Sequence, residues 1–486
     1  MNLGNISLLV GGNNSGKSTL IKAILLCCDN LRLIKTNTFE DPLNIQGYRF
    51  SFDANDWHDV KIKTFARAIY GKMIKSLNKD GKEIRDFAKH IKFCFSINDF
   101  TFEIVVEQIF DVEDVFKNKV NDRDIIYGNI SYVSIEDRKR GLQFIENYRT
   151  GKMSYKIYEK DNTFKSCEFS SEHYLEIPNE NLFVHIIGNF LRYSQEKNDN
   201  EDNNETRRQL HNVLSYILAS KRNLIDIISK IRVEYISIHS VNQNNIYNIE
   251  DKNDYIAKVI HAYYNSGIKE GDEMYSWIKE WISKKDDRFN IGDDFTILRL
   301  GDSAYQVRIF EEDDIHFLAD KGMGTIQIMV LLLRLATIIK DNRLNRNFQY
   351  EGKNIKNGLK INVDKVIVPT IIIEEPEQNL HPKIQSVLAN FFLDAHKRFG
   401  CKFIIETHSE YMIRKSQVLV KKMAQKNNAD TNEELKEINP FKVFYFDSKN
   451  ENIPFYEMEY RIDGNFSNDF GNGFYDESTK LLYDIL

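Results

Sequence analysis

Gly11-Gly12-Asn13-Asn14-Ser15-Gly16-Lys17-Ser18 is the stretch on which the fold turns. It fits the spacing G-x-x-x-x-G-K-[ST], and its flanks are those such a loop needs. Ile6–Val10 before it is a short apolar run with strand character. Lys17–Cys28 after it places Leu20, Ile21, Ile24 and Leu25 on one helical face. Glycines here let backbone N–H groups turn inward on phosphate oxygens, and the helix N-terminus adds partial positive charge. Gly11, Gly12, Asn13, Asn14, Ser15, Gly16, Lys17, Ser18 and Thr19 are therefore the expected phosphate-binding residues. Lys17 is expected to bridge the β- and γ-phosphates of ATP, and Ser18 to offer its hydroxyl to Mg2+.

Far downstream, Thr370-Ile371-Ile372-Ile373-Glu374-Glu375-Pro376-Glu377 sets two adjacent carboxylates at the tip of an apolar strand. Parallel sheets aim such strand ends at a ligand crevice. Glu374 is the expected metal-directing carboxylate beside Ser18, and Glu375 the group that orients or deprotonates an attacking water. Lys402–Ile405 is a further strand, ending in Glu406-Thr407-His408-Ser409, where His408 can reach a γ-phosphate. Asp320-Lys321-Gly322-Met323-Gly324-Thr325-Ile326-Gln327 opens a long apolar helix, and the amides around Gly322 and Gly324 suit a second phosphate.

The rest of the chain bounds these readings. Its 486 residues, 42% hydrophobic and 28% charged, are ordinary for a globular protein. A net charge of -6 gives no whole-chain basic field, so DNA contact would need a local patch. The densest basic run, Asp137-Arg138-Lys139-Arg140, reads as a solvated turn. Five scattered cysteines without a CxxC pair argue against zinc and disulfides and fit a cytoplasmic protein. The apolar runs Ile326–Leu335 and Val366–Ile373 fall short of a membrane span. Between Tyr48 and Ser170 the pattern is one of alternating strands, with a hairpin turn at Ile97–Phe100. Leu182–Tyr193 and Arg207–Ile231 read as helices, and Ser194–Thr206, which has no apolar residue, as a solvated loop. The last third alternates strand and helix, which predicts a parallel sheet.

Taken together, these motifs resemble the ABC-type ATPase heads of the SMC, RecF and OLD families. The likeness is greatest to RecF-like ATPase subunits of bacterial anti-phage systems, such as PtuA of Septu and AriA of PARIS. That resemblance implies an α/β fold: a P-loop ATPase head with a parallel-sheet core, an antiparallel β lobe and an inserted helical lobe. The organisation expected is an N-terminal part of the head over 1–180, a helical insertion over 181–290, the C-terminal part of the head over 291–450 and a tail element over 451–486. It further implies Glu375 as catalytic glutamate, His408 as switch histidine, Leu380-His381-Pro382 as the D-loop, and Gly322 and Gly324 as a signature that caps ATP held by a partner protomer. ATP and Mg2+ are the implied cofactors. The implied partners are a second copy joined through ATP, in a dimer or higher oligomer, and a separate effector such as a nuclease or toxin, with no membrane. Only five residues precede the P-loop strand, where the family has further strands near the adenine, which points to a start upstream. Gln46 is a candidate for the family's Q-loop. Three functions stay open: an ATPase controlling an effector, a nucleotide-gated scaffold with negligible turnover, and a RecF-like DNA-repair ATPase.

Overall fold

The computed structural model describes residues 1–33, 49–52, 68, 73–77, 83–87, 90–108, 127–148, 152–158, 164–170, 182–199, 204–237, 244, 246–248, 250–251, 254–353, 369–447, 455–471 and 483–484. The chain opens on β1 (Ile6–Gly11) and α1 (Lys17–Leu33). Two compact units divide it, one made of residues 1–21 and 232–486, the other of residues 22–231. This cut differs from the four segments drawn from sequence, because the helices of 181–290 are shared between the two units.

The unit of residues 22–231 is antiparallel. Its strands are β2 (Arg49–Ser51), β3 (Met73–Leu77), β4 (Glu83–Phe87), β5 (His90–Ile97), β6 (Phe100–Glu107), β7 (Tyr127–Asp137), β8 (Leu142–Asn147), β9 (Lys152–Tyr158) and β10 (Phe164–Ser170). Two helices follow, α2 (Leu182–Asp199) and α3 (Asn204–Lys230). β5 to β10 pair in sequence order, β2 joins β7, and β3 with β4 forms a separate hairpin. β6 and β8 alternate buried and half-buried positions, the pattern of a sheet packed on one face. Their inward phenylalanines meet α2, Phe102 against Phe183 at 5.5 Å and Phe144 against Phe190 at 5.3 Å. The expected turn at 97–100 closes with Asn98 at φ 53°, a left-handed position that asparagine tolerates. Ser194–Thr206 is helical at both of its ends rather than a loop throughout. Glutamate, glutamine and lysine lose little rotamer freedom in a helix, so an apolar-free stretch can still extend one.

Returning at residue 232, the chain builds β11 (Val233–Ser237), β12 (Tyr247–Asn248), α4 (Tyr255–Asn265), α5 (Glu273–Ile282), β13 (Asp294–Leu300), β14 (Ala304–Glu311) and β15 (Asp314–Phe317). Then come α6 (Met323–Lys353), β16 (Thr370–Glu374), α7 (Pro382–Phe399), β17 (Lys402–Glu406), α8 (Glu410–Lys426), α9 (Asn432–Ile438), β18 (Phe441–Phe446) and β19 (Phe455–Met458). The main sheet runs β11-β16-β17-β1-β18-β19, parallel except for β19. β1 is buried at every residue, as a central parallel strand covered on both faces should be. Ile6, Leu8 and Val10 share one core with residues of α4 to α8. Met323–Asp341 has the length and apolar character of a membrane span, but 72% of it is buried inside the protein, as in a core helix. The mixed α/β fold with a parallel-sheet core is the one the motifs lead one to expect.

Candidate functional site

β1, β16 and β17 run parallel and end at one edge of the sheet, so the loops that follow them meet there. The β1 end forms the phosphate-binding loop. Gly11, at φ 142°, lies so close to β18 that a Cβ would come 2.3 Å from the Phe446 carbonyl oxygen. No side chain fits there. Asn13 and Asn14 form the turn, with Asn14 at φ 60°, and the Ser15 Oγ is buried without a hydrogen-bond partner among the described residues. Lys17 begins α1 and is only 3% exposed. Its Nζ donates to the carbonyls of Gly11 (3.1 Å) and Gly12 (2.9 Å) and lies 3.8 Å from the Glu406 carboxylate. Burial lowers the Lys17 pKa, opposed chiefly by the charge of Glu406. Ser18 donates its hydroxyl to Glu406, 2.9 Å from Oε2 and 3.0 Å from Oε1.

Glu374 ends β16 and is the register partner of Glu406 on β17. Glu375 follows at φ 44°, a left-handed conformation that costs a non-glycine residue on the order of 1 kcal/mol and turns the chain off the strand line. Its N–H donates to the Glu406 carbonyl at 2.8 Å. Its carboxylate accepts from the Gln378 side-chain amide and stands 3.6 Å from His408 Nε2. Glu377 is 7% exposed and accepts the His408 backbone N–H at 2.5 Å. Burial pushes its pKa up to about 7. On the β17 side, the Thr407 N–H donates to the Leu9 carbonyl at 3.0 Å, tying this turn to β1. Ser409 caps α8 by accepting the Met412 N–H, and its hydroxyl donates to Gln385 at 2.7 Å. Burial, then the charge of Lys17, lowers the His408 pKa, while Glu375 opposes them, so the imidazole is favoured in its neutral form.

Lys17, Ser18, Glu375 and His408 thus lie near one another at the sheet edge, with Glu374 on the neighbouring strand β16. Glu406, Glu377 and Gln378 were not picked out as functional from sequence. For the two glutamates the available signal was an ionisable residue at the end of a strand or in the turn that follows one. The ligand atoms of Glu375, Glu406 and His408 lie within 4.8 Å of one another. With the Ser18 hydroxyl they form an oxygen-rich set that fits a hard divalent cation such as Mg2+.

The two signature-like glycines part company. A Cβ on Gly322 would meet nothing within 4 Å, whereas one on Gly324 would lie 2.8 Å from the Asn379 carbonyl oxygen and 3.0 Å from Leu380. Gly324 therefore serves close packing onto the turn that follows Glu375, and only Gly322 faces open space. His381 caps α7, its Nδ1 accepting the Lys383 N–H at 3.3 Å. Gln46 lies outside the described residues. The basic run at 137–140 is a turn whose Arg140 pairs with Asp137 at 2.8 Å and whose Arg138 donates to the Asn98 carbonyl at 2.7 Å.

The family described as AAA ATPase domain matches residues 1–413, and the chain belongs to it. No curated protein matches the sequence. Among solved structures, a Smc head domain with an extended coiled coil, bound to the C-terminal domain of ScpA and derived from Pyrococcus furiosus, aligns over 100% of this chain and 94% of its own, at 10% identity and a TM-score of 0.30. A Smc head bound to the C-winged helix domain of ScpA aligns over 94% of this chain and 92% of its own, at 9% identity and a TM-score of 0.30. Superpositions this loose carry no functional weight.

Proposed function

We propose that this AAA-family chain binds ATP at Gly11–Thr19 and hydrolyses it with Mg2+. The observation that carries the proposal is the meeting of Lys17, Ser18, Glu375 and His408 from three strand ends. Lys17 exchanges the Gly11 and Gly12 carbonyls for phosphate oxygens, which are the stronger, charge-assisted acceptors. Ser18 and a strand-end carboxylate, Glu374 in the assignment the family resemblance implies, hold the metal. Mg2+ at that place neutralises charge developing on the phosphates. Glu375 takes the proton of the attacking water, its carboxylate held in place by Gln378. Neutral His408 donates to the γ-phosphate. The test is phosphate release with Mg2+ and with chelator: turnover only with Mg2+ is expected, and ATP binding without turnover would leave the nucleotide-gated scaffold instead.

A second copy completes the site in this proposal. The amide of Gly322, a residue on which a Cβ would meet nothing within 4 Å, caps the γ-phosphate of ATP held by the partner, giving an isologous dimer whose formation tracks ATP. Gly322→Arg is the clean probe. Gly324→Arg is not, because it would first disturb Asn379 and Leu380 of its own chain. Sedimentation of Gly322→Arg with and without ATP should show a monomer in both. The pathway proposed is control of an effector in anti-phage defence within the cytoplasm, supported by the motif likeness to RecF-like defence subunits. Loss of plaque protection in a Lys17→Ala strain tests it.

A further inference from the structure

Building on the hydrolytic site proposed above, we infer that Glu377 and Gln385 are positioning residues, which clamp the 407–409 turn so that the His408 imidazole faces Glu375. Each backbone N–H of that turn has an acceptor. Thr407 donates to the Leu9 carbonyl at 3.0 Å, His408 to Glu377 Oε1 at 2.5 Å and Ser409 to Thr407 Oγ1 at 3.0 Å. The first bond ties the turn to β1, and the third is local. The Glu377 bond joins the histidine's own peptide to the turn that carries Glu375.

Gln385 makes a second tie. It lies half-buried on α7, and both ends of its amide are engaged. Its Nε2 donates to the Leu380 carbonyl at 3.0 Å, and its Oε1 accepts the Ser409 hydroxyl at 2.7 Å. Ser409 is also the N-cap of α8, so the start of that helix is anchored to Leu380. The Gln378 N–H on the Glu375 carbonyl and the Leu380 N–H on the Glu377 carbonyl, both 3.2 Å, close the turn itself. Glu375, Glu377 and Leu380 thus belong to one closed turn, and the two ties leave His408 Nε2 3.6 Å from the Glu375 carboxylate. Without Glu377, which is 7% exposed, the His408 N–H has to find another acceptor or stay unpaired at about 1–3 kcal/mol. Either way the imidazole shifts, and a 1 Å misplacement costs about 100-fold in rate. Neither clamp residue has to touch ATP for this.

The experiment is single-turnover phosphate release, which reads slow variants, with ATP affinity taken from a fluorescent analogue and folding from thermal melts. Glu377→Met and Gln385→Met keep the side-chain length and lose the acceptor. Each should slow release about 10–100-fold and leave ATP affinity within about 2-fold of wild type. Glu377→Gln keeps an acceptor oxygen and should recover most of the rate. In a His408→Ala background the same Met substitutions should change the rate less than about 3-fold, because they act through the missing imidazole. The full loss in that background, wild-type rates in both Met variants, or a Glu377→Gln rate no better than that of Glu377→Met would overturn the clamp. If Glu377→Met does not melt cooperatively, Gln385→Met, at its half-buried position, decides between the same outcomes. Wild-type protein that binds the analogue and releases no phosphate would instead refute hydrolysis, and the clamp's role in it.

Discussion

The two units treat their buried carboxylates differently, although both contain one that burial pushes up to about 7. In the parallel unit it is Glu377, which sits in a strand-end turn and accepts the His408 N–H. In the antiparallel unit it is Glu146, in the middle of a sheet, on the inward face of β8 beside Phe144; the Oε2 of each glutamate lacks a hydrogen-bond partner among the described residues. Burial alone therefore does not mark a site. Direction of the strands does. Parallel strands deliver all their carboxyl ends to one edge, so residues 11–18, 374–377 and 406–409 meet. A meander sends successive ends to opposite edges, and its polar groups satisfy close neighbours, as Arg140 does with Asp137.

The contrast is broken most directly by Glu375→Gln, which keeps ATP affinity and should slow phosphate release by about 10²–10⁴-fold. Glu146→Gln should leave the rate alone. Equal loss in both variants would show that the antiparallel unit takes part in the chemistry. Next in size, Lys17→Ala should weaken binding of a fluorescent ATP analogue by about 100-fold, the worth of charge-assisted bonds to phosphate. Undiminished affinity would remove the phosphate loop from the site.

Acidity sharpens the comparison further. A carboxyl whose folded pKa is raised from 4.5 to about 7 contributes stability that is present below 4.5 and lost as pH climbs through 7. Glu146 and Glu377 act in the same sense, so the protein should melt lower at pH 8 than at pH 5. Glu146→Gln should remove its own share, on the order of 1–3 kcal/mol, and flatten that slope. Thermal melts of both proteins at the two pH values decide it, and an unchanged slope would show that Glu146 does not titrate as described. The smallest effect separates the glycines. Gly324→Ala should cost about 1–2 kcal/mol through its clash with the Asn379 carbonyl, and Gly322→Ala less than about 0.5 kcal/mol. Equal melting temperatures would mean that the 379–380 turn yields freely.

What could be read from the sequence follows the range of the interactions involved. The phosphate loop was legible because strand, turn and helix are contiguous. Glu375 and His408 were legible because each ends an apolar run. Glu406 stood in plain view at the end of β17, but its contact with Ser18 depends on which strand lies beside β1, and strand order is set by residues hundreds of positions apart. The close packing of Gly324 was hidden for the same reason: its tight neighbour, Asn379, is remote in sequence. Glu146 occupies an inward position of β8 where alternation calls for an apolar residue. The role of the tail from Tyr460 was not legible. It is held by the Tyr460 hydroxyl on Ser416 of α8 at 2.7 Å and by the close approach of Gly471 to Tyr445.

The position of β1 has a consequence for how the protein is made. Its two neighbours, β17 and β18, pair Ile6 with Phe403 and with Phe441. At about 5–20 residues per second, a ribosome exposes this apolar strand roughly 20–80 s before either neighbour emerges. The antiparallel unit, whose sheet pairs strands nearby in sequence, can close during that interval. The phosphate loop is thus translated well before the strands that complete it, and is among the last motifs assembled. Nascent chains halted before residue 402 should fail to retain ATP, however complete their loop sequence.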